Sequence, residues 1–238
     1  MTSVADLQVK LFADGADKAH IVKALANPLI KGFTTNPTLM RAAGVADYQA
    51  FARDVLSVVT RHPISFEVFA DDFAEMERQA RVIAGWAPNV YVKIPITNTQ
   101  RRSSIDLVHR LSHGGAKVNV TAILTLEQVR ESASALAGGA PSVISVFAGR
   151  IADTGIDPVP IMAKAVELLR PTPSIELIWA SPRELLNIFQ ANDVGCHIIT
   201  ATEPLLAKLA VVGKDLGEYS LETVQMFHHD AVKSGFRL

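Results

Sequence analysis

Short, mostly apolar runs alternate along the chain with longer stretches whose apolar positions recur every three to four residues. The short runs are residues 9–13 (VKLFA), 30–34 (IKGFT), 64–68 (ISFEV), 90–94 (VYVKI), 117–121 (KVNVT), 143–147 (VISVF), 175–179 (IELIW) and 196–200 (CHIIT). Their length and apolar density predict buried strands. The longer stretches, among them residues 48–61, 73–86, 105–114, 126–138 and 159–170, predict amphipathic helices. A strand followed by a helix, repeated, implies parallel pairing, because a parallel neighbour is reached only through a crossover. Eight such strands in 238 residues predict a (β/α)8 TIM barrel, an α/β fold. An open, doubly wound sheet is the alternative topology. No linker, low-complexity tract or charge run marks a boundary, so residues 1–238 read as one domain. The segment 220–238 (SLETVQMFHHDAVKSGFRL) predicts an extra C-terminal helix over about 220–234, placed to cap the barrel or to bind a neighbouring subunit.

Polar residues interrupt this pattern near the same end of at least seven strands. Asp14 follows the first strand, and Thr34, Thr35 and Asn36 follow the second. Glu67 ends the third and Lys93 lies near the end of the fourth. Asn119 and Thr121 share a face of the fifth, as do Ser145 and Phe147 on the sixth, with Arg150 just beyond. Ser181 and Arg183 follow the seventh. In a barrel these positions converge on the C-terminal mouth, where catalytic groups collect. Each has a structural explanation as well: a helix cap for Asp14 or Thr34, a loop contact for Asn119.

Lys93 carries the sharpest chemistry. An ammonium is costly to bury, and desolvation favours the neutral amine, which can attack a carbonyl and form a Schiff base. Asp14 and Glu67 are the candidate proton carriers for such a reaction. The alternative is a lysine on an exposed edge strand, or a structural Lys93–Glu67 ion pair.

Composition narrows the setting. A net charge of −1 gives no reason to expect nucleic acid as a partner. The single cysteine, Cys196, excludes an intrachain disulfide and fits a reducing, cytoplasmic compartment. The opening MTSVADLQVKLFADGAD is not patterned as a signal peptide, and no run approaches the ~18 apolar residues of a membrane span. His109 and His113, four apart, and the adjacent His228 and His229 read as solvated residues rather than metal ligands. The glycines of LAGGAPS (136–142) precede a strand, whereas phosphate-binding loops follow one, so no nucleotide cofactor is expected.

FADGAD (12–17), GFTTNPTLM (32–40), SFEV (65–68), VYVKIPIT (90–97), VNVTAILT (118–125), SVFAGR (145–150) and WASPR (179–183) resemble, in order, the motifs of the transaldolases. The length is similar to the short branch that includes the fructose-6-phosphate aldolase-like enzymes. That resemblance implies a class I aldolase barrel without cofactor or metal. It implies that Lys93 forms the Schiff base with a ketose carbonyl, that Asp14 exchanges the C4 hydroxyl proton, and that Glu67 with Thr121 holds the proton-relaying water. Asn36 and Asn119 would bind hydroxyls of the dihydroxyacetone unit and Ser145 its C1 hydroxyl, while Arg150, Ser181 and Arg183 would bind the sugar phosphate. Glu67 and Phe147 resemble the transaldolase pattern, where the aldolases tend to carry Gln and Tyr.

The implied activity is transfer of a dihydroxyacetone unit between phosphorylated sugars. The alternatives are an aldolase releasing free dihydroxyacetone, a transaldolase for a modified (for example sulfonated) ketose, or a silent sugar-phosphate-binding barrel. The expected partners are anionic sugars and further copies of the chain in a dimer, pentamer or decamer, with no membrane. Two departures stand out. After KIPIT the chain reads NTQRRSS (98–104), where Arg101 and Arg102 would face water or supply an extra anion contact. Trp179 stands before ASPR where a smaller residue is common, and it is expected to tighten the pocket.

Overall fold

Eight parallel strands close on themselves in chain order: β1 (Lys10–Asp14), β2 (Ile30–Thr34), β3 (Ile64–Glu67), β4 (Val90–Pro95), β5 (Val118–Ile123), β6 (Ser142–Val146), β7 (Ile175–Trp179) and β8 (Ile198–Thr202). β8 returns to pair with β1, so the sheet has no edge. The computed structural model describes residues 3–237. The barrel is therefore the (β/α)8 topology, not the open sheet.

Eleven α-helices among the described residues connect and surround the strands: α1 (Lys18–Leu25), α2 (Pro37–Ala42), α3 (Tyr48–Leu56), α4 (Phe73–Ala84), α5 (Ile105–His113), α6 (Leu126–Leu136), α7 (Ala148–Ala152), α8 (Pro158–Leu169), α9 (Leu186–Asp193), α10 (Glu203–Ala207) and α11 (Leu216–Ser234). Their starts are written locally. Asp17, Asn36, Asp47, Asp72 and Asp157 each turn a side-chain oxygen back to the first turn's amides. Thr125 and Gln128 form a reciprocal capping box at α6. α11 begins at Leu216, a turn earlier than its sequence pattern suggests, because Asp215 caps it.

Two apolar layers sit either side of the strands. The larger lies between barrel and helices and includes Phe33, Ile64, Phe66, Met162 and Trp179. The smaller plugs the barrel interior with Phe12, Val143, Ile178, Ala180 and Ile198, against which Tyr91 and Phe147 pack. Successive strand residues point to opposite faces, so Trp179, between Ile178 and Ala180, faces the helices and is fully buried there. It does not tighten the pocket; the expectation placed it on the wrong side of the sheet. No described helix is long and apolar enough to cross a membrane.

Candidate active site

Register brings the site together. Glu67 on β3 pairs across to Lys93 on β4, and Lys93 to Asn119 on β5, so these side chains form one row around the barrel. Asp14 pairs with Thr34 in the same way across β1 and β2. Lys93 is buried at 6% exposure, with β4 running two residues beyond it to Pro95. Its Nζ lies 3.0 Å from Glu67 Oε2 and donates to the Thr35 carbonyl at 3.0 Å. An exposed edge lysine is thereby excluded: the sheet has no edge, and the ammonium is taken from water only because a carboxylate and a carbonyl receive it.

Asn119 is oriented at both ends of its amide. Its Oδ1 accepts from Ser145 Oγ at 2.7 Å and its Nδ2 donates to Ser65 Oγ at 3.0 Å. Thr34 Oγ1 donates to Asp14 Oδ1 at 2.7 Å and sits 2.5 Å from Thr200 Oγ1. Thr34 has one proton to give, so Thr200 is the donor between the two hydroxyls. Burial is the largest influence on Asp14 and pushes its carboxyl above the ordinary range, against the Thr34 bond and the charge of Lys93; the charge of Glu67 adds to the rise. Thr121 Oγ1, two residues beyond Asn119 on the same face of β5, is buried without a hydrogen-bond partner. Asn36 is split between two tasks: its Oδ1 caps α2 through Leu39 N, which leaves its amide nitrogen for another acceptor.

The anion-binding candidates lie together at the β6 and β7 ends. Arg150 lies in the middle of the five-residue α7 with its guanidinium 5.6 Å from the Phe147 ring, and Phe147 lies just past β6 as the residue ahead of that helix. Arg183 donates from Nε and Nη2 to the two oxygens of Asp153 at 2.9 and 2.5 Å, and from Nη1 to Ser181 Oγ at 2.9 Å. The Arg183 bonds hold the Asp153 carboxyl below its usual range, helped by the charges of Arg183 and Arg150. These bonds use three of the five guanidinium N–H groups and leave one on Nη1 and one on Nη2 for a further acceptor.

Three non-glycine residues among those described have positive φ, Arg101, Ala122 and Ser181, each at 61°. All three lie after or near the C-terminal ends of strands, where strained backbone concentrates around reactive groups. At Ala122 the β5–β6 register slips, a bulge immediately beyond Thr121. Among the described residues, no side-chain hydrogen bond or ion pair joins Arg101 or Arg102 to the residues above. Their loop is closed by a Thr97–Ser103 bridge and by Thr99, which donates to both oxygens of Asp71. Arg102 lies 5.3 Å over the Phe73 ring, and both arginines are exposed.

Ser65, Thr200 and Tyr48 also touch the site residues and escaped sequence reasoning. Ser65 stands two residues before Glu67, so strand periodicity could have found it. Thr200 closes the eighth apolar run. Tyr48 lies on a helix and had no signal. Cys196 is buried, which pushes its thiol up to about 12 and leaves it unreactive near neutral pH. Among the described residues no cluster of three His, Cys, Asp or Glu could hold a metal.

Residues 11–238 match the family described as transaldolase/fructose-6-phosphate aldolase. A protein named "Probable transaldolase" from Dehalococcoides mccartyi is 34% identical over 202 residues, 84% of this chain and 90% of that one. Another of that name, from Thermoanaerobacter sp. (strain X514), is 33% identical over 231 residues, 97% and 100% of the two chains. Among solved structures, KGPDC from Streptococcus mutans superposes with a TM-score of 0.56 over 83% of this chain and 89% of that one. At 10% identity that likeness is one of fold.

Proposed function

Because the chain belongs to the transaldolase/fructose-6-phosphate aldolase family, we propose that it transfers a dihydroxyacetone unit from a phosphorylated ketose to a phosphorylated aldose through a Schiff base on Lys93. The observation that carries this reading is the buried Lys93 Nζ held 3.0 Å from Glu67 Oε2 at the barrel mouth. A lysine acts as a nucleophile once a proton leaves it, and Glu67 is the adjacent acceptor. The amine attacks C2 of the ketose, and the resulting carbinolamine loses its oxygen as water to give the imine. Glu67 and Thr121 carry the protons of that dehydration through a water. Asp14 removes the C4 hydroxyl proton as the C3–C4 bond breaks, which leaves an enamine on Lys93 and frees an aldehyde. The enamine then attacks the acceptor aldehyde, Asp14 returns the proton, and hydrolysis frees Lys93. Asn36, Asn119 and Ser145 bind the hydroxyls of the three-carbon unit. Arg150, Ser181 and Arg183 bind the phosphate.

Borohydride reduction in the presence of fructose 6-phosphate tests the core of this reading. Peptide mass spectrometry is expected to find the reduced adduct on Lys93. An unmodified Lys93 would remove both transferase and aldolase activity from consideration. Strict dependence of turnover on an aldose acceptor identifies the transferase; steady release of free dihydroxyacetone from donor alone identifies the aldolase. Arg101→Ala and Arg102→Ala test the loop after β4, and an unchanged KM for every anionic sugar, sulfonated ones included, assigns those arginines to solvent.

A further inference from the structure

We propose that Tyr48 is a positioning residue for Glu67, standing in for a missing stretch of strand β2. This rests on the role given to Glu67 above. Alternate residues of a parallel strand turn both backbone groups toward the same neighbour. On β3, Ile64 and Val68 face β4, where their amides donate to Asn89 and Lys93 carbonyls. Ser65 and Glu67 therefore face β2. The Ser65 carbonyl receives the Thr35 amide, but the β2–β3 pairing ends there, at Thr34 and Ser65, because the chain turns into α2. Glu67 is left with an amide and a carbonyl and no strand beside them.

The Tyr48 hydroxyl occupies that place. It accepts from the Glu67 amide at 2.9 Å and donates to the Glu67 carbonyl at 2.8 Å. One oxygen thus satisfies both orphaned backbone groups of the last β3 residue. The hydroxyl is itself fixed. Tyr48 is the first residue of α3, which Asp47 caps, and its ring packs edge-on against Phe66 and Phe69 with centroids at 6.3 and 5.7 Å. Trp86 closes a further side at 5.7 Å. Burial pushes the phenol well above its ordinary value, so the donor stays protonated wherever the enzyme is folded near neutral pH. The consequence falls on the carboxylate: with its backbone pinned, Glu67 presents Oε2 to Lys93 at a fixed 3.0 Å. A displacement of about 1 Å between reacting groups costs on the order of 100-fold in rate.

Tyr48→Phe removes one oxygen atom and keeps the ring and its contacts. The readout is exchange of the ketose C2 oxygen with ¹⁸O-labelled water, which follows imine formation and hydrolysis and not carbon–carbon cleavage. Dividing that rate by the amount of Lys93 trapped exhaustively with borohydride makes it independent of how much of a sample is folded. Tyr48→Phe is expected to slow exchange per trapped lysine about tenfold or more, with KM for fructose 6-phosphate changed less than about twofold. Combined with Glu67→Gln it is expected to cost nothing beyond Glu67→Gln alone.

Exchange by Tyr48→Phe at the wild-type rate, while Glu67→Gln is slow, overturns the role of Tyr48 and leaves that of Glu67 standing. Full additivity in the double variant overturns it too, because Tyr48 would then act by another route. If Glu67→Gln itself exchanges normally, the role of Glu67 falls and the inference falls with it.

Discussion

Asp14 concentrates the conflict between stability and chemistry in one side chain. Burial raises its carboxyl above the ordinary 3.8 in the folded chain. A group shifted that way contributes stability while protonated, below its unfolded value, and loses it as pH rises through the folded value. The contribution of Asp14 to stability is therefore smaller at pH 7 than below 3.8. Asp14→Asn keeps an oxygen for the Thr34 hydroxyl and removes the charge. Thermal unfolding is expected to occur at higher temperature in this variant than in the wild type at pH 7, with the difference closing at a pH below 3.8. Transfer activity is expected to fall by roughly 10²–10⁴-fold, the range for removing a general base. Lys93→Met is the stricter case. It removes the nucleophile, so turnover is expected to fall by at least about 10⁴-fold, with no borohydride adduct at that position. At this scale most of the candidate site was legible. Asp14, Glu67, Lys93, Asn119 and Ser145 were marked by being polar where strands should be apolar. Tyr48 was not, because a tyrosine on an amphipathic helix breaks no pattern, and Trp179 misled because only the pleat decides which way a strand residue faces.

At the scale of elements, the proposed phosphate site depends on how closely α7 approaches the loop after β7. Gly149, in the first turn of α7, leaves no room for a side chain: a Cβ there would lie 1.5 Å from the Ser181 carbonyl oxygen. The contact is with backbone, so relief requires moving the loop that carries Ser181 and Arg183. Gly149→Ala is expected to destabilise the protein by about 1–3 kcal/mol, the usual cost of overpacking. Its larger effect is expected on binding, with KM for phosphorylated sugars raised about tenfold or more and KM for an unphosphorylated aldehyde such as glyceraldehyde little changed. Equal changes in both would show that the loop does not set the phosphate grip. Around the barrel, α3, α4, α5, α6 and α8 were visible from their period, whereas α2, α7 and α10, at five or six residues, are too short to show one. The Asn36 cap and the early prolines of α2 and α10 are local signals, and α7 has neither. The bulge at Ala122 left no sequence mark.

The whole molecule leaves α11 outside its core. None of its residues is buried, and Leu216, Phe227, Val232 and Phe236 in and beside it are exposed, Phe236 at 83%. We propose that these apolar side chains on one 19-residue helix form a contact surface between copies of the chain. Sedimentation of the full chain is expected to give a multiple of its 25.7 kDa mass, and a chain ending at Val212 a smaller assembly with the barrel still folded. A monomer for the full chain would assign α11 to solvent.

The succession of strands and helices and the choice of candidate site residues followed from local pattern. Period, capping and the cost of burying charge act within a few residues of each other along the chain. Register, facing and seam were decided only by closure of the barrel. Whether Lys93 meets Glu67, whether Asp153 holds Arg183, and how Tyr48 fills the gap that β2 leaves depend on contacts between residues 19 to 30 apart. No local rule carries such distances, because the partner's position is fixed by the other strands and the helices packed around them.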